Sequence, residues 1–337
     1  MNNDSDNNNS SERIVITRRN QLELMPWRMP APGAGEIRVR VAYSGVSFGD
    51  VMLRRHVFRQ RPAVAVPGYE VVGTIDAIGP GVGDLKPGDR VAAFIEYGGN
   101  ARHALVRARD AVVLPAGVDE AEAAAVVLNY ASALGMIEAA GLAAGDDFLI
   151  HGATGGVGSA MLDVARSYGL AALGTTRGNT RTDLFGARLF DTRSPSLVDD
   201  VRAASSGGVR AVFDSRAGRG LWRSRAMVAP GGALIVFGLS SAATPGWAGR
   251  LATASSLLAL GLFNVLPGKR SEIFAMDKTY RRTPARVQVW VARAIAMLAG
   301  GKIAPIVGAT LRLEQAAEAH RLLESGQVVG KVLLDCR

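Results

Sequence analysis

The spacing of apolar and polar positions changes character about one third of the way along the chain. Up to about Val113 the period is two: Ile37, Val39 and Val41 alternate with Arg38 and Arg40. Val71 to Ile78 and Asp89 to Phe94 are short runs rich in β-branched residues. Turn signals separate them at Pro32-Gly33, Pro67-Gly68, Gly79-Pro80-Gly81 and Pro87-Gly88-Asp89. Short strands between such turns predict a compact, barrel-like β-rich domain. From Asp119 to Ala140 the pattern turns alanine-rich and helical, with Asp119 a candidate N-cap and Glu122 completing a capping box. Strand and helix patterns then alternate. Strands are predicted at Phe148–Ile150, Leu170–Thr175, Arg188–Phe190, Val209–Phe213 and Ala233–Phe237, and helices at Ser159–Tyr168, Thr182–Gly186, Leu197–Ala204 and Arg219–Val228. That alternation predicts a doubly wound parallel sheet. Gly238 to Pro284 breaks the rhythm, small and apolar first, then basic. It reads as an excursion that covers a ligand cleft or supplies a subunit contact. A helix at Ala285–Ala299, a strand around Ile306, a helix at Glu314–Glu324 and a strand at Gly330–Leu334 complete the chain.

Composition narrows the class. The 337 residues suit two domains, and 48% hydrophobic content with 40 glycines is ordinary for a globular chain. The single cysteine, Cys336, rules out an intrachain disulfide and cysteine-rich zinc sites, and points to the cytoplasm. The net charge of +9 comes mostly from scattered arginines without a long basic run, which argues against a nucleic-acid partner. The opening MNNDSDNNNSSE has no apolar core and reads as a disordered tail over residues 1–12 rather than a secretory signal. The longest apolar stretch, Leu251 to Leu266, is interrupted by Ser255, Ser256 and Asn264 and falls short of a membrane span.

Candidate chemistry centres on FLIHGATGGVGSAMLDVARSYG, Phe148 to Gly169. An apolar strand, a turn with Gly152, Gly155, Gly156 and Gly158, and an amphipathic helix form a dinucleotide-binding unit. Its glycines let the backbone approach a pyrophosphate held at helix N-terminal amides. An NAD site would carry an acid about 20 residues further on, after the second strand. Here Thr175, Thr176 and Arg177 stand at the strand end and Arg181 follows. A guanidinium suits a 2′-phosphate, so NADPH is the expected cofactor, with Arg193 a further cation in reach of the same place. His151 reads as a structural hydrogen bonder.

Several phrases in order resemble the medium-chain dehydrogenase/reductase superfamily: GVSFGDVMLRR (45–55), PGYEVVGTIDAIGPGV (67–82), LKPGDRVAA (85–93), EAAAVVLNYASAL (122–134), HGATGGVGSA (151–160), GGALIVFG (231–238) and the tail GGKIAP to GKVLL (300–334). The likeness is to its zinc-independent branch of quinone oxidoreductases, enoyl reductases and synaptic-vesicle membrane proteins. It implies an α/β fold in which a Rossmann domain (131–268) is inserted in a GroES-like β-rich catalytic domain (13–130 and 269–337). Zinc-dependent members place a cysteine where this chain has Ser47 and a histidine where it has Tyr69, so no metal is expected.

The resemblance also implies site residues. Ser132 approaches the nicotinamide, and Thr154, Gly155, Gly156 and Val157 hold the phosphates. Ser215, Phe237, Gly238 and Leu239 line the nicotinamide half, and Gly330 and Lys331 return to the cofactor. The expected reaction is hydride transfer from NADPH to an enone, enoyl thioester or quinone. Tyr69, Asn129 and Ser47 are the candidates to hold the acceptor carbonyl or supply a proton. Many enoyl reductases have an acid tyrosine where this chain has Phe58. Leu262, Phe263 and Phe274 suit either a hydrophobic acceptor or the core. A homodimer formed by edge-to-edge pairing of Rossmann sheets is implied. An NADPH-binding regulatory protein or an RNA-binding protein on the same fold is the alternative.

Overall fold

The computed structural model describes residues 10–55, 64–178, 183–238 and 247–337, except for the side chains of Ala248 and Arg250. The chain divides into two units: the stretch up to Ala131 together with Thr279–Arg337, and Ser132–Lys278 between them.

In the first unit the organising strand is β3 (Glu36–Val46). Its alternating Ile37, Val39 and Val41 are each 0% exposed, while Arg38 on the other face pairs with Asp76 at 2.9 Å. Burying each such aliphatic side chain is worth about 1.5–3 kcal/mol. The antiparallel strand β4 (Glu70–Ile78) lies along one edge of β3. The other edge is shared: β6 (His103–Arg107) pairs with residues 36–40 and β15 (Lys331–Asp335) with residues 43–46. Beyond β4 come β5 (Arg90–Phe94) and β7 (Ala111–Val113), and beyond β15 comes β14 (Val307–Arg312). Val332, Leu334, Leu313 and Ala319 therefore share one core with Ile37 and Val39. Tyr280 reinforces the junction, its hydroxyl donating to Asp110 at 2.5 Å and its ring lying edge-on to Phe94.

One expectation is corrected at the N-terminus. Ser10, Ser11 and Glu12 belong to β1 (Ser10–Ile16), which pairs with β2 (Leu22–Arg28). Ser11 bonds His103 at 2.9 Å and Glu12 bonds Arg102 at 2.7 Å, so this part of the expected tail is ordered. Residues 1–9 lie outside the described ones. Helix α1 (Phe48–Arg54) follows β3, and α2 (Glu120–Ala140) starts where the pattern placed it. Asp119 accepts the amides of Ala121 and Glu122, both at 2.9 Å.

The second unit is a six-stranded parallel sheet of β8 (Asp147–His151), β9 (Ala171–Thr176), β10 (Arg188–Asp191), β11 (Val209–Asp214), β12 (Val228–Val236) and β13 (Arg270–Ile273), in the order β10-β9-β8-β11-β12-β13. That order reverses direction between β8 and β11, the crevice where ligands bind in open α/β sheets. Connecting helices are α3 (Gly156–Tyr168), α4 (Leu197–Ala204), α5 (Leu221–Met227) and α6 (Trp247–Val265). Two expectations change here. No helix covers Asp183–Gly186, because Phe185 and Gly186 are left-handed with φ 57° and 76°. The expected excursion contains a 19-residue helix and a sixth strand, which carries this unit to Lys278 rather than to 268. The irregular look came from α6 being apolar on every side, so that no amphipathic period is visible.

The remaining elements are α7 (Met276–Arg282), α8 (Pro284–Ala299) and α9 (Ala316–Ser325). His320 on α9 is 0% exposed, and among the described residues neither ring nitrogen has a hydrogen-bond partner. Burial, with the Arg54 charge second, pushes its pKa down to about 3. A base with a depressed folded-state pKa stabilises the fold above its unfolded value near 6.5, and that contribution drains away as pH falls toward 3. The loss approaches about 1.4 kcal/mol per pH unit below that value. Denaturant unfolding at pH 7.5 and pH 5 is expected to show this loss in the wild type, and a shallower one in His320→Leu.

Candidate active site

The turn after β8 is built for close backbone approach. Gly152 is left-handed (φ 76°), and the amides of Gly152 and Ala153 donate to the Thr175 carbonyl at 3.1 and 3.0 Å. Gly158 has no room for a Cβ, which would lie 2.8 Å from Ala153 Cα. Helix α3 starts from Gly155 with no side-chain cap and no acidic residue in its first turn. Its leading amides and positive dipole end are thus left for an anion from outside the chain. Thr154, Gly155, Gly156 and Val157 are half-buried around that end. These features fit a dinucleotide pyrophosphate.

At the end of β9, Thr176 is buried and Arg177 exposed. Arg193 is held by Asp191 at 2.9 Å, and its hydrogen bonds depress the Asp191 pKa. Arg193 thus pairs within its own loop, and among the described residues Arg177 is an exposed cation at the strand end. Arg181, Leu239 and Phe58 lie outside the described residues. Ser215, Phe237 and Gly238 are half-buried at the ends of β11 and β12. A Cβ on Gly238 would come within 2.5 Å of the Ser215 carbonyl oxygen. Phe263 and Phe274 are core residues, whereas Leu262 is 45% exposed.

A polar bar runs beneath these turns. His151 Nδ1 lies 2.9 Å from Thr175 Oγ1 and its Nε2 lies 3.1 Å from Ser224 Oγ. The Ser224 hydroxyl donates to Asp214 at 2.6 Å, and Asp214 accepts the amides of Arg216 and Ala217 at 2.7 and 2.8 Å. Since the one Ser224 proton goes to the carboxylate, His151 must donate from Nε2 and accept from Thr175 at Nδ1. Burial keeps the ring neutral by lowering its pKa. His151 is the structural hydrogen bonder its position implied. Asp214 and Ser224 were not legible as its partners, because they lie 63 and 73 residues away and meet it only through sheet order.

In the first unit, Ser47 is the N-cap of α1. Its amide and hydroxyl both donate to Asp50, at 2.8 and 2.7 Å, and Gly68 N donates to the other Asp50 oxygen at 2.7 Å. Burial raises the Asp50 pKa while these donors oppose the shift. With its proton committed, Ser47 offers an acceptor rather than a donor, which removes it as a holder of a substrate carbonyl. Tyr69 is 8% exposed and packs against Phe94 and Tyr97, with ring centroids 6.3 and 6.1 Å away. Asn129 and Ser132 are three residues apart on α2, each nearly buried.

Lys331 is 3% exposed and forms an ion pair with Glu70, which is 0% exposed. Its ammonium is therefore spent within the protein rather than held for a cofactor. Burial raises the Glu70 pKa, opposed by the Lys331 charge. Gly330 before it is left-handed (φ 86°), and a Cβ there would meet the Ile306 side chain at 2.7 Å. Asp50 and Glu70 were missed as functional residues. The signals were present: a Ser-x-x-Asp capping pattern, and an acid set directly before Val71 and Val72.

Among the described residues no group of three or more His, Cys, Asp or Glu side chains is placed to hold a metal ion. A parallel sheet inserted between two parts of a β-rich unit defines the architecture, and comparison with known proteins agrees with it. Residues 33–118 match the alcohol dehydrogenase GroES-like domain and residues 186–334 match the zinc-binding dehydrogenase family. The chain is 28% identical to quinone oxidoreductase of Rattus norvegicus, covering 91% of each. It is 31% identical to a mycocerosic acid synthase-like polyketide synthase of Mycolicibacterium smegmatis, covering 98% of this chain but 16% of that protein. A mycobacterial protein solved with NADPH superposes with a TM-score of 0.81 at 25% identity, covering 96% of this chain and 99% of the other. The chain belongs to the medium-chain dehydrogenase/reductase superfamily, in its quinone oxidoreductase-like branch.

The Glu70–Lys331 pair has a direct test. A Cβ on Gly45 would overlap Glu70 Oε1 and lie 2.6 Å from Lys331 Nζ. Gly45→Ala and Lys331→Met are each expected to cost about 3–5 kcal/mol in denaturant unfolding. Glu70→Gln added to Lys331→Met should recover part of that loss, since no uncompensated charge then stays buried.

Proposed function

We propose that this chain is an NADPH-dependent oxidoreductase that reduces an activated double bond or a quinone. The uncapped, acid-free start of α3 at the sheet's switch point carries the reading. Thr176 and Arg177 at the end of β9, where an acid would favour NAD, support the phosphorylated cofactor. The relatives named above agree in kind, one being a quinone oxidoreductase and another a structure complexed with NADPH.

When bound, NADPH supplies the hydride. The residues of the chain do the rest. The α3 amides and Arg177 fix the two ends of the phosphate groups. Ser132, Ser215, Phe237 and Gly238 line the nicotinamide half. Asn129 holds an acceptor oxygen as negative charge develops there, and the Tyr69 hydroxyl is the proton donor within the first unit. A hydrophobic small molecule is the acceptor, and the protein acts as a homodimer.

The deciding experiment is NADPH oxidation with enones, enoyl thioesters and quinones, using NADH as control. Turnover with one class and a clear NADPH preference are expected. Arg177→Ala should weaken NADPH binding by about ten- to a hundredfold and leave NADH binding nearly unchanged, from loss of a charge-assisted contact. A wild-type preference for NADH would overturn the cofactor assignment. Tight NADPH binding without oxidation would make the chain a binding protein.

A further inference from the structure

The β1–β2 hairpin has two unlike faces. Ile14 and Ile16 turn into the core of the first unit, at 1% and 2% exposure. Strand alternation puts Ser11 and Arg13 on the other face, and the pairing of Ser11 with Trp27 across the hairpin adds the indole beside them. Arg13 lies over the Trp27 ring, its Cζ 4.5 Å from the ring centroid. Both side chains line a cavity of about 180 Å³. Its apolar wall comes from buried Val66, Ala101 and Ala104 and half-buried Leu105, and His103 and Tyr97 complete the lining. Arg13 Nε and Trp27 Nε1 are buried, and among the described residues neither has a hydrogen-bond partner. The great majority of buried polar groups in folded proteins are hydrogen-bonded, so two donors left over beside one cavity call for an acceptor.

The lining also sets the charge of what fits. Burial pushes the Arg13 pKa down and no carboxylate opposes it, yet a guanidinium stays charged in a protein. His103 is neutral at pH 7, because burial lowers its pKa, Asp76 opposes that, and Arg38, Arg40 and Arg102 add to it. Among the described lining residues Arg13 therefore brings the one full charge, which a ligand of charge −1 balances. The Nε edge of a guanidinium and its adjacent amino group form a fork that matches a carboxylate. The indole, a donor only, suits the same acceptor. A cavity of about 150 Å³ takes benzene, so a ring or a short branched chain fits beside the carboxylate. We propose that this cavity binds a small apolar monocarboxylate, with its oxygens on Arg13 and Trp27 and its hydrocarbon part against Val66, Ala101, Ala104 and Leu105. All of these residues belong to the first unit, so the proposal is independent of the cofactor reading. Tyr97 belongs both to this lining and to the aromatic packing around Tyr69.

Isothermal titration and saturation-transfer NMR with sodium benzoate test the site on the full chain. Benzoate is expected to bind, and neither benzamide, its neutral counterpart, nor inorganic phosphate should displace it. Arg13→Met should raise the benzoate dissociation constant about ten- to a hundredfold, from loss of a charge-assisted contact. Trp27→Phe keeps a ring and removes the N–H, and should raise it about three- to tenfold, from loss of a neutral hydrogen bond. Arg18→Met, at an exposed position beyond β1, should leave binding unchanged. Should Arg13→Met lose its fold by circular dichroism, Trp27→Phe decides alone. No benzoate binding, or binding that neither variant weakens, would overturn the site. Benzamide binding as tightly as benzoate would overturn the need for charge, and displacement of benzoate by phosphate would overturn the carboxylate assignment.

Discussion

The first unit depends on one buried charge pair. Glu70 on β4 and Lys331 on β15 belong to strands that flank β3 on opposite edges, and they meet across Gly45, where β3 carries no side chain. Two charges so far from water tolerate no loss of partner, since leaving either alone costs several kcal/mol. The pair therefore fixes three things together: the return of the chain's last strand to β3, the glycine at 45, and the placement of β4 directly after Tyr69. Asp50 extends the constraint. It caps α1 through Ser47 and anchors Gly68, so the start of α1 and the approach to β4 are set by one carboxylate.

The second unit places a helix start without a side-chain cap at the switch point of its parallel sheet. The Thr175–His151–Ser224–Asp214 bar satisfies the polar groups beneath the turns and holds three strand ends in line. With those turns fixed from below, the α3 amides can remain without side-chain partners. An acid in the first turn of α3 would have filled the site with the protein's own charge. No acid stands there, and among the described residues none of the chain's own carboxylates caps the turn.

Features that depend on near neighbours were legible in the sequence. Strand period, turn residues, the Asp119 cap and the glycine turn are local properties, since each depends on neighbours within a few residues. The arginine at position 177, where an acid would favour NAD, is likewise a local property of the sequence. The boundary near residue 278 and the α6 helix were not legible, because a helix that is apolar on every side gives no period from which to read its covered face.

The partnerships across long separations were decided only by tertiary structure. Lys331 could be read as a cofactor contact until β15 placed it against Glu70, and Ser47 as a substrate contact until α1 gave its proton to Asp50. Arg193 could be read as a phosphate contact, and the structure pairs it with Asp191. The sequence by itself determined the α/β architecture, the location of the dinucleotide turn and the residue types around it. The tertiary structure decided which of those polar groups still have a donor, an acceptor or a charge to offer, because burial forces each one to find a partner within the fold.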